Sequence, residues 1–176
     1  MARRERQPQE LRLASEHVAH TLERLFGSVG DSMTLQRAHY SGENPSRWTR
    51  YALFDAWAIH LAHAMHFARP RAAQPTDIVA ADYFDGDRWA EIIEQTDAGD
   101  WPAMLDEVKV KQWIENELLH LRYDRIHSAS ESGNWPLAPV TAHLARDLQA
   151  FVDNVAAELV ADDFAVRAQN ALDSLH

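Results

Sequence analysis

The chain has 176 residues, 46% of them hydrophobic, and a formal net charge of −10 with histidines neutral. That length suits one domain with enough apolar surface for a core, and the negative balance argues against DNA, whose binding rests on Lys and Arg neutralising phosphates. The absence of cysteine excludes disulfide staples and thiolate metal sites, and a cytoplasmic protein is the simplest expectation.

The opening "MARRERQPQE" is basic, but no apolar run follows it, so it does not have the pattern of a secretory signal. The first helix is expected over about Pro8 to Phe26. Leu11, Ala14, Val18, Leu22 and Leu25 recur at steps of three and four, and Gly27 and Gly30 are expected to end it. A connector then leads to Ser46, a candidate N-cap for a second helix over about Arg47 to Ala68. Leu53, Phe54, Trp57, Leu61, Ala64, Met65 and Ala68 form one wide apolar face of this helix. Ala58, Ile59 and Phe67 extend it, so the helix is expected to be central. Asp55, His60, His63 and His66 interrupt the run, which argues against a membrane span.

After Pro70, Thr76 or Asp77 is suited to cap a short helix through Tyr83, and Asp87 another over Arg88 to Glu94. A long helix is predicted over about Pro102 to Ser128. The last long helix should begin near Pro139, with Val140, Leu144, Leu148, Phe151, Val155 and Leu159 as its stripe. One more short helix is expected after Asp163. The pattern predicts an all-α domain, an up-and-down bundle of four main helices with short extra helices between the second and third. The core is expected over about residues 8–161, flanked by a basic N-terminal arm and a short C-terminal tail. The six tryptophans are read as packing anchors at helix ends.

Two stretches carry the chemistry. His60, His63 and His66 recur every third residue on the second helix, but metal-binding helices place paired ligands four apart. The preferred reading is a hydrogen-bonded histidine at position 60 on the edge of the apolar face, with His63 and His66 progressively more exposed. The second stretch is "KQWIENELLHLRYDRIH". Glu117, His120 and Asp124 fall within about 60° of one another on a helix and could offer oxygen and nitrogen ligands to a cation. Glu117-x-x-His120 has the spacing of di-iron bundles, but no second such motif is present, and Glu91 and Glu94 are the spare carboxylates.

Arg122 is followed after four residues by His127, the Arg–x–His spacing of HEPN-type ribonucleases. Arginine offers fixed donors to a scissile phosphate, and histidine moves protons near neutral pH. Five residues of separation turn the helix by about 140°, so convergence would need a frayed helix or a second subunit. As structure alone, the pair is an exposed arginine and a histidine near a helix C-terminus.

"ALFDAWAIHLAHAMHF", "TDIVAADYFDGDRW", "WIENELLHLRYDR" and "WPLAPVTAHLARDLQAFV", in that order, resemble a group of uncharacterised bacterial helical proteins of HEPN-like architecture, over roughly residues 50–155. Position by position, the mid-helix histidine is His60. The acidic segment is Asp77, Ala80, Asp82 and Phe84, and the last motif is His120, Leu121, Tyr123 and Arg125. The chain departs from the nuclease pattern at Glu115, where a motif ending at His120 needs arginine, and glutamate repels phosphate. The resemblance implies a buried polar network of His60, His120 and Arg125 with Asp82 or Asp55. It implies a non-catalytic interaction or scaffold protein, homodimeric, in a bacterial defence or stress setting.

Two alternatives stand beside it. One is a metal-independent ribonuclease using Arg122 and His127, or His120 with Arg125, acting on RNA. The other is a metal-binding bundle using Glu117, His120 and His63. No cofactor and no membrane association are expected, and the partner is RNA or protein.

Overall fold

The computed structural model describes residues 5–40, 47–70, 73–96 and 137–174, and among these the chain is all helix and turn. Helix α1 spans Pro8–Tyr40 and α2 spans Arg47–Ala68. A 3-10 turn over Ala80–Tyr83 leads to α3, Arg88–Thr96. Helix α4 spans Leu137–Asn154. A second 3-10 turn, Ala157–Leu159, precedes α5, Phe164–Asp173.

Helix α1 starts where its sequence can satisfy free amides. Pro8 gives up no amide, and the Glu10 carboxylate accepts from the Gln7 N–H at 3.0 Å. The helix does not stop at Gly27 and Gly30 as the sequence predicts, but continues to Tyr40. Glycine ends a helix by adopting a left-handed conformation, and among the described residues only Gly86, with φ of 55°, does so. Inside a helix, glycine costs only about 1 kcal/mol relative to alanine. Gly86 is needed for the turn between the first 3-10 segment and α3. The bounds of α2 agree with expectation, and no helix among the described residues is long and apolar enough to cross a membrane.

The buried face of α1 is rotated from the predicted stripe. Leu11, Ser15, Ala19, Leu22, Leu25 and Phe26 are buried, while Ala14 and Val18 are only half-buried. Ser15 tolerates full burial because its hydroxyl donates to the Arg12 carbonyl at 2.7 Å and accepts from the Ala161 amide at 2.8 Å. On α2, Trp57, Leu61, Ala64, Met65, Phe67 and Ala68 are buried as the pattern implies, but Ile59 is exposed.

Helix α1 packs chiefly on α2 and α5, and α4 touches α2, α3 and α5. His17 meets His63 and Phe67 across a cleft while His20 faces His60, so α1 and α2 run antiparallel. Trp57 reaches Thr141 and Arg69 reaches Asp147, so α2 and α4 run in the same sense. Along α1, Arg12 holds Asp162 at 2.6 Å and Glu23 chelates Arg167 at 2.7 and 2.9 Å, which fixes α5 against it.

The core therefore continues past residue 161. Phe164, Ala168, Ala171 and Leu172 of α5 are buried in it, so the predicted C-terminal tail is structural. Helix α4 begins two residues before Pro139 and ends at Asn154, leaving Val155 and Leu159 half-buried on the following turn. Trp57 and Trp89 are buried anchors: their indole N–H groups donate to Thr141 Oγ1 at 3.4 Å and to the Ala68 carbonyl at 2.8 Å. The predicted helix over Pro102 to Ser128 lies outside the described residues.

Candidate functional site: a histidine-lined cleft

The chemistry of the described residues gathers where α1 crosses α2. His17, His20 with Thr21, and Arg24 recur on α1 at steps of three and four, which puts them on one face. Glu16 and Glu23, seven apart, lie on a neighbouring flank, where the Glu23 carboxylate is taken up by Arg167. That hydrogen bond holds Glu23 below the usual carboxylate range, against the opposing effect of burial. Helix α2 contributes His60 and His63.

His60 is the centre of the group. Its ring stands edge-on to His20 with centroids 6.2 Å apart, and to His63 at 6.3 Å. The ring is half-buried, and Nδ1 is fully buried with no hydrogen-bond partner. Burial, then the neighbouring His63, His20 and Arg24, push its pKa below that of free imidazole. The expected hydrogen-bonded core histidine is thus a half-buried one whose described neighbours all oppose its protonation. His63 is exposed as expected, but His66 is not the most exposed of the three. It is half-buried at the end of α2, where Nε2 lies 3.0 Å from Asp77 Oδ2.

Beside this group, α1 and α2 part to leave an open cleft of about 250 Å³. Val18, Leu22, Ala64, Phe67 and Leu148 form its apolar floor, and His17, Thr21 and His63 stand on its wall. His63 belongs to both features, since it lines the cleft and contacts His60.

Asp82, expected beside His60, belongs to another cluster. Its Oδ2 accepts from the Val79 amide at 3.0 Å and lies 4.0 Å from Arg6 Nε. Arg6 in turn donates to the carbonyls of Pro75 and Asp77, both at 2.6 Å. The cluster closes on Asp77, the partner of His66, and His66 lies six helical steps beyond His60, about 9 Å along the axis. The remaining network members, His120 and Arg125, lie outside the described residues. So do Arg122, His127, Glu115 and Glu117, and the side chain of Asp55.

Among the described residues no group of three His, Asp or Glu side chains is arranged to hold a metal ion. Glu91 and Glu94 are exposed, and Glu91 is engaged by Arg88 at 3.2 Å.

Sequence reasoning missed a buried carboxylate and its ion pair. Asp147 is 2% exposed and accepts from Arg69 through both oxygens, at 2.6 and 2.9 Å. The signal was present, since Asp147 falls directly before Leu148 and four before Phe151, at a core register of α4 where a charge needs a partner. Arg6 gave no such signal, because its acceptors are loop carbonyls.

The depressed pKa of His60 fixes the sign of an acid effect. The unfolded chain takes up a proton at the ordinary imidazole value near 6.5 and the folded chain does so only at lower pH. Stability from this group is therefore complete above about pH 6.5 and is lost as pH falls through the folded value. Melting temperatures of the native chain should fall from pH 7.5 to pH 5.5, and His60→Phe should lose less over the same interval. Equal falls would show that His60 does not carry the effect. Glu23 adds a second loss only at lower pH, as the pH falls from the ordinary carboxylate value through its lowered folded one.

Compared with protein-family models, with curated proteins and with solved structures, the chain has no significant match.

Proposed function

We propose that the chain is a HEPN-like helical interaction protein, an up-and-down four-helix bundle elaborated by α5, that works as a homodimeric scaffold without catalysis of its own. The shared direction of α2 and α4 supports the bundle, because the second and fourth helices of such a fold run the same way. The observation that carries the non-catalytic reading is the surroundings of His60. A general acid or base needs an orienting partner and a pKa near its working pH, whereas Nδ1 is buried without one and its described neighbours are two imidazoles and a guanidinium. Elsewhere, buried polar groups tie helices to segments distant in the chain: Asp147 of α4 holds Arg69 just past α2, and Ser15 of α1 holds the Ala161 amide in the loop before α5.

Light scattering of the purified chain should give twice the monomer mass, and incubation with single-stranded RNA in EDTA should leave the RNA intact. RNA cleavage that disappears in Arg122→Ala or His127→Ala would replace this reading with the ribonuclease one. A monomeric mass would remove the homodimer.

A further inference from the structure

The cleft between α1 and α2 goes beyond what an interaction protein requires. Its floor is apolar, yet three polar side chains, His17, Thr21 and His63, share its wall. Among the described residues none of the three side chains makes a hydrogen bond, although His63 packs against the His60 ring. Polar groups that converge on an apolar hollow with their hydrogen-bonding capacity unspent are the usual make-up of a small-molecule site. Among the described residues no carboxylate lines the cleft, although Asp and Glu outnumber Lys and Arg by 27 to 17 in the chain. Arg24 lies on the same face of α1, one turn beyond. The local balance therefore favours an anionic head group. The volume sets the body: an apolar cavity of about 150 Å³ accepts benzene, so about 250 Å³ takes a ring and one substituent.

We propose that this cleft binds a small aromatic carboxylate, with its ring on Phe67, Leu22 and Ala64 and its carboxylate held at the mouth by His17, Thr21 and His63. Ring burial against an apolar floor supplies affinity, and charge-assisted hydrogen bonds from imidazole fix the orientation. His63 also touches His60, so an occupied cleft would be sensed in the histidine group that joins the two helices.

The test uses benzoate as the probe and benzamide, its neutral isostere, as the control, followed through the histidine ring resonances of the 176-residue chain. Benzoate should shift the His17 and His63 signals saturably in the millimolar range or below, with benzamide about tenfold weaker. His17→Ala and His63→Ala should each weaken benzoate by about tenfold, the loss expected for one hydrogen bond to a charged group. Both side chains are exposed, so an unchanged circular dichroism spectrum will confirm that the variants fold. Equal binding of benzoate and benzamide, or wild-type affinity in both variants, overturns the proposal. So does the absence of a saturable shift at tens of millimolar, the result expected if another part of the chain or a protein partner fills the cleft.

Discussion

Replacing Phe151 by alanine should lower stability by about 3–5 kcal/mol, which for a chain of this size shifts the melting temperature by roughly 6–20 °C. Phe151 is 1% exposed and is the meeting point of the described core. Its ring stands edge-on to Phe67 of α2 at 5.0 Å, to Tyr83 at 5.1 Å, to Phe84 at 5.8 Å, and to Trp89 and Phe164 at 5.9 Å. One side chain of α4 thereby contacts α2, the first 3-10 turn and its flank, α3 and α5. Edge-to-face pairs add about 0.5–1.5 kcal/mol each beyond area burial, and truncation loses all of them while leaving a cavity. The surrounding rings cannot close that cavity readily, because Tyr83 is tied through its hydroxyl to the Leu11 carbonyl at 2.9 Å and Trp89 through its indole to Ala68. Phe151→Leu should recover more than half of the loss. Thermal denaturation of the two variants decides the matter, and an alanine variant within 1 kcal/mol of wild type would show that the ring cluster does not hold the fold.

The second large effect is expected at Asp147. Its carboxylate is buried and accepts from Nε and Nη2 of Arg69 in a fork. Asp147→Ala leaves the guanidinium without this carboxylate. Removing one partner of a buried ion pair costs about 3–5 kcal/mol. The Arg69 side chain keeps 26% of its surface in water, which lowers the expected cost to about 2–4 kcal/mol. The double variant Arg69→Met with Asp147→Leu removes both charges and should be more stable than Asp147→Ala alone, since apolar groups of similar size often replace a buried pair at little cost. Urea denaturation of the two variants separates the alternatives. A double variant no better than the single one would mean that the pair acts through something other than charge burial.

Helix periodicity is a local property, and the local parts of this protein were legible. The bounds of α2 could be read from its apolar run and from Pro70 behind it. The start of α1 could be read from Pro8 and Glu10, and the position of α5 from the residues after Asp163. His60 could be placed on the edge of an apolar face because three and four residues make one helical turn. The end of α1 was misread for an equally physical reason: a glycine marks a stop only where the chain turns into the left-handed region, and the residue type alone does not say whether it does.

What the sequence by itself determined is an all-helical chain with a negative surface balance, its main amphipathic faces and a histidine-rich α2. Tertiary structure alone decided which faces meet. It rotated α1 so that Ser15 and Ala19 are buried in place of Ala14 and Val18, which opened the cleft. It brought His20 to His60, Asp147 to Arg69 and Arg167 to Glu23, and it separated Asp82 from His60. Partners 78 and 144 residues apart leave no mark in any local window. Their meeting is settled by how whole helix surfaces pack and by the need of each buried charge for a counter-charge, neither of which exists until the chain has folded.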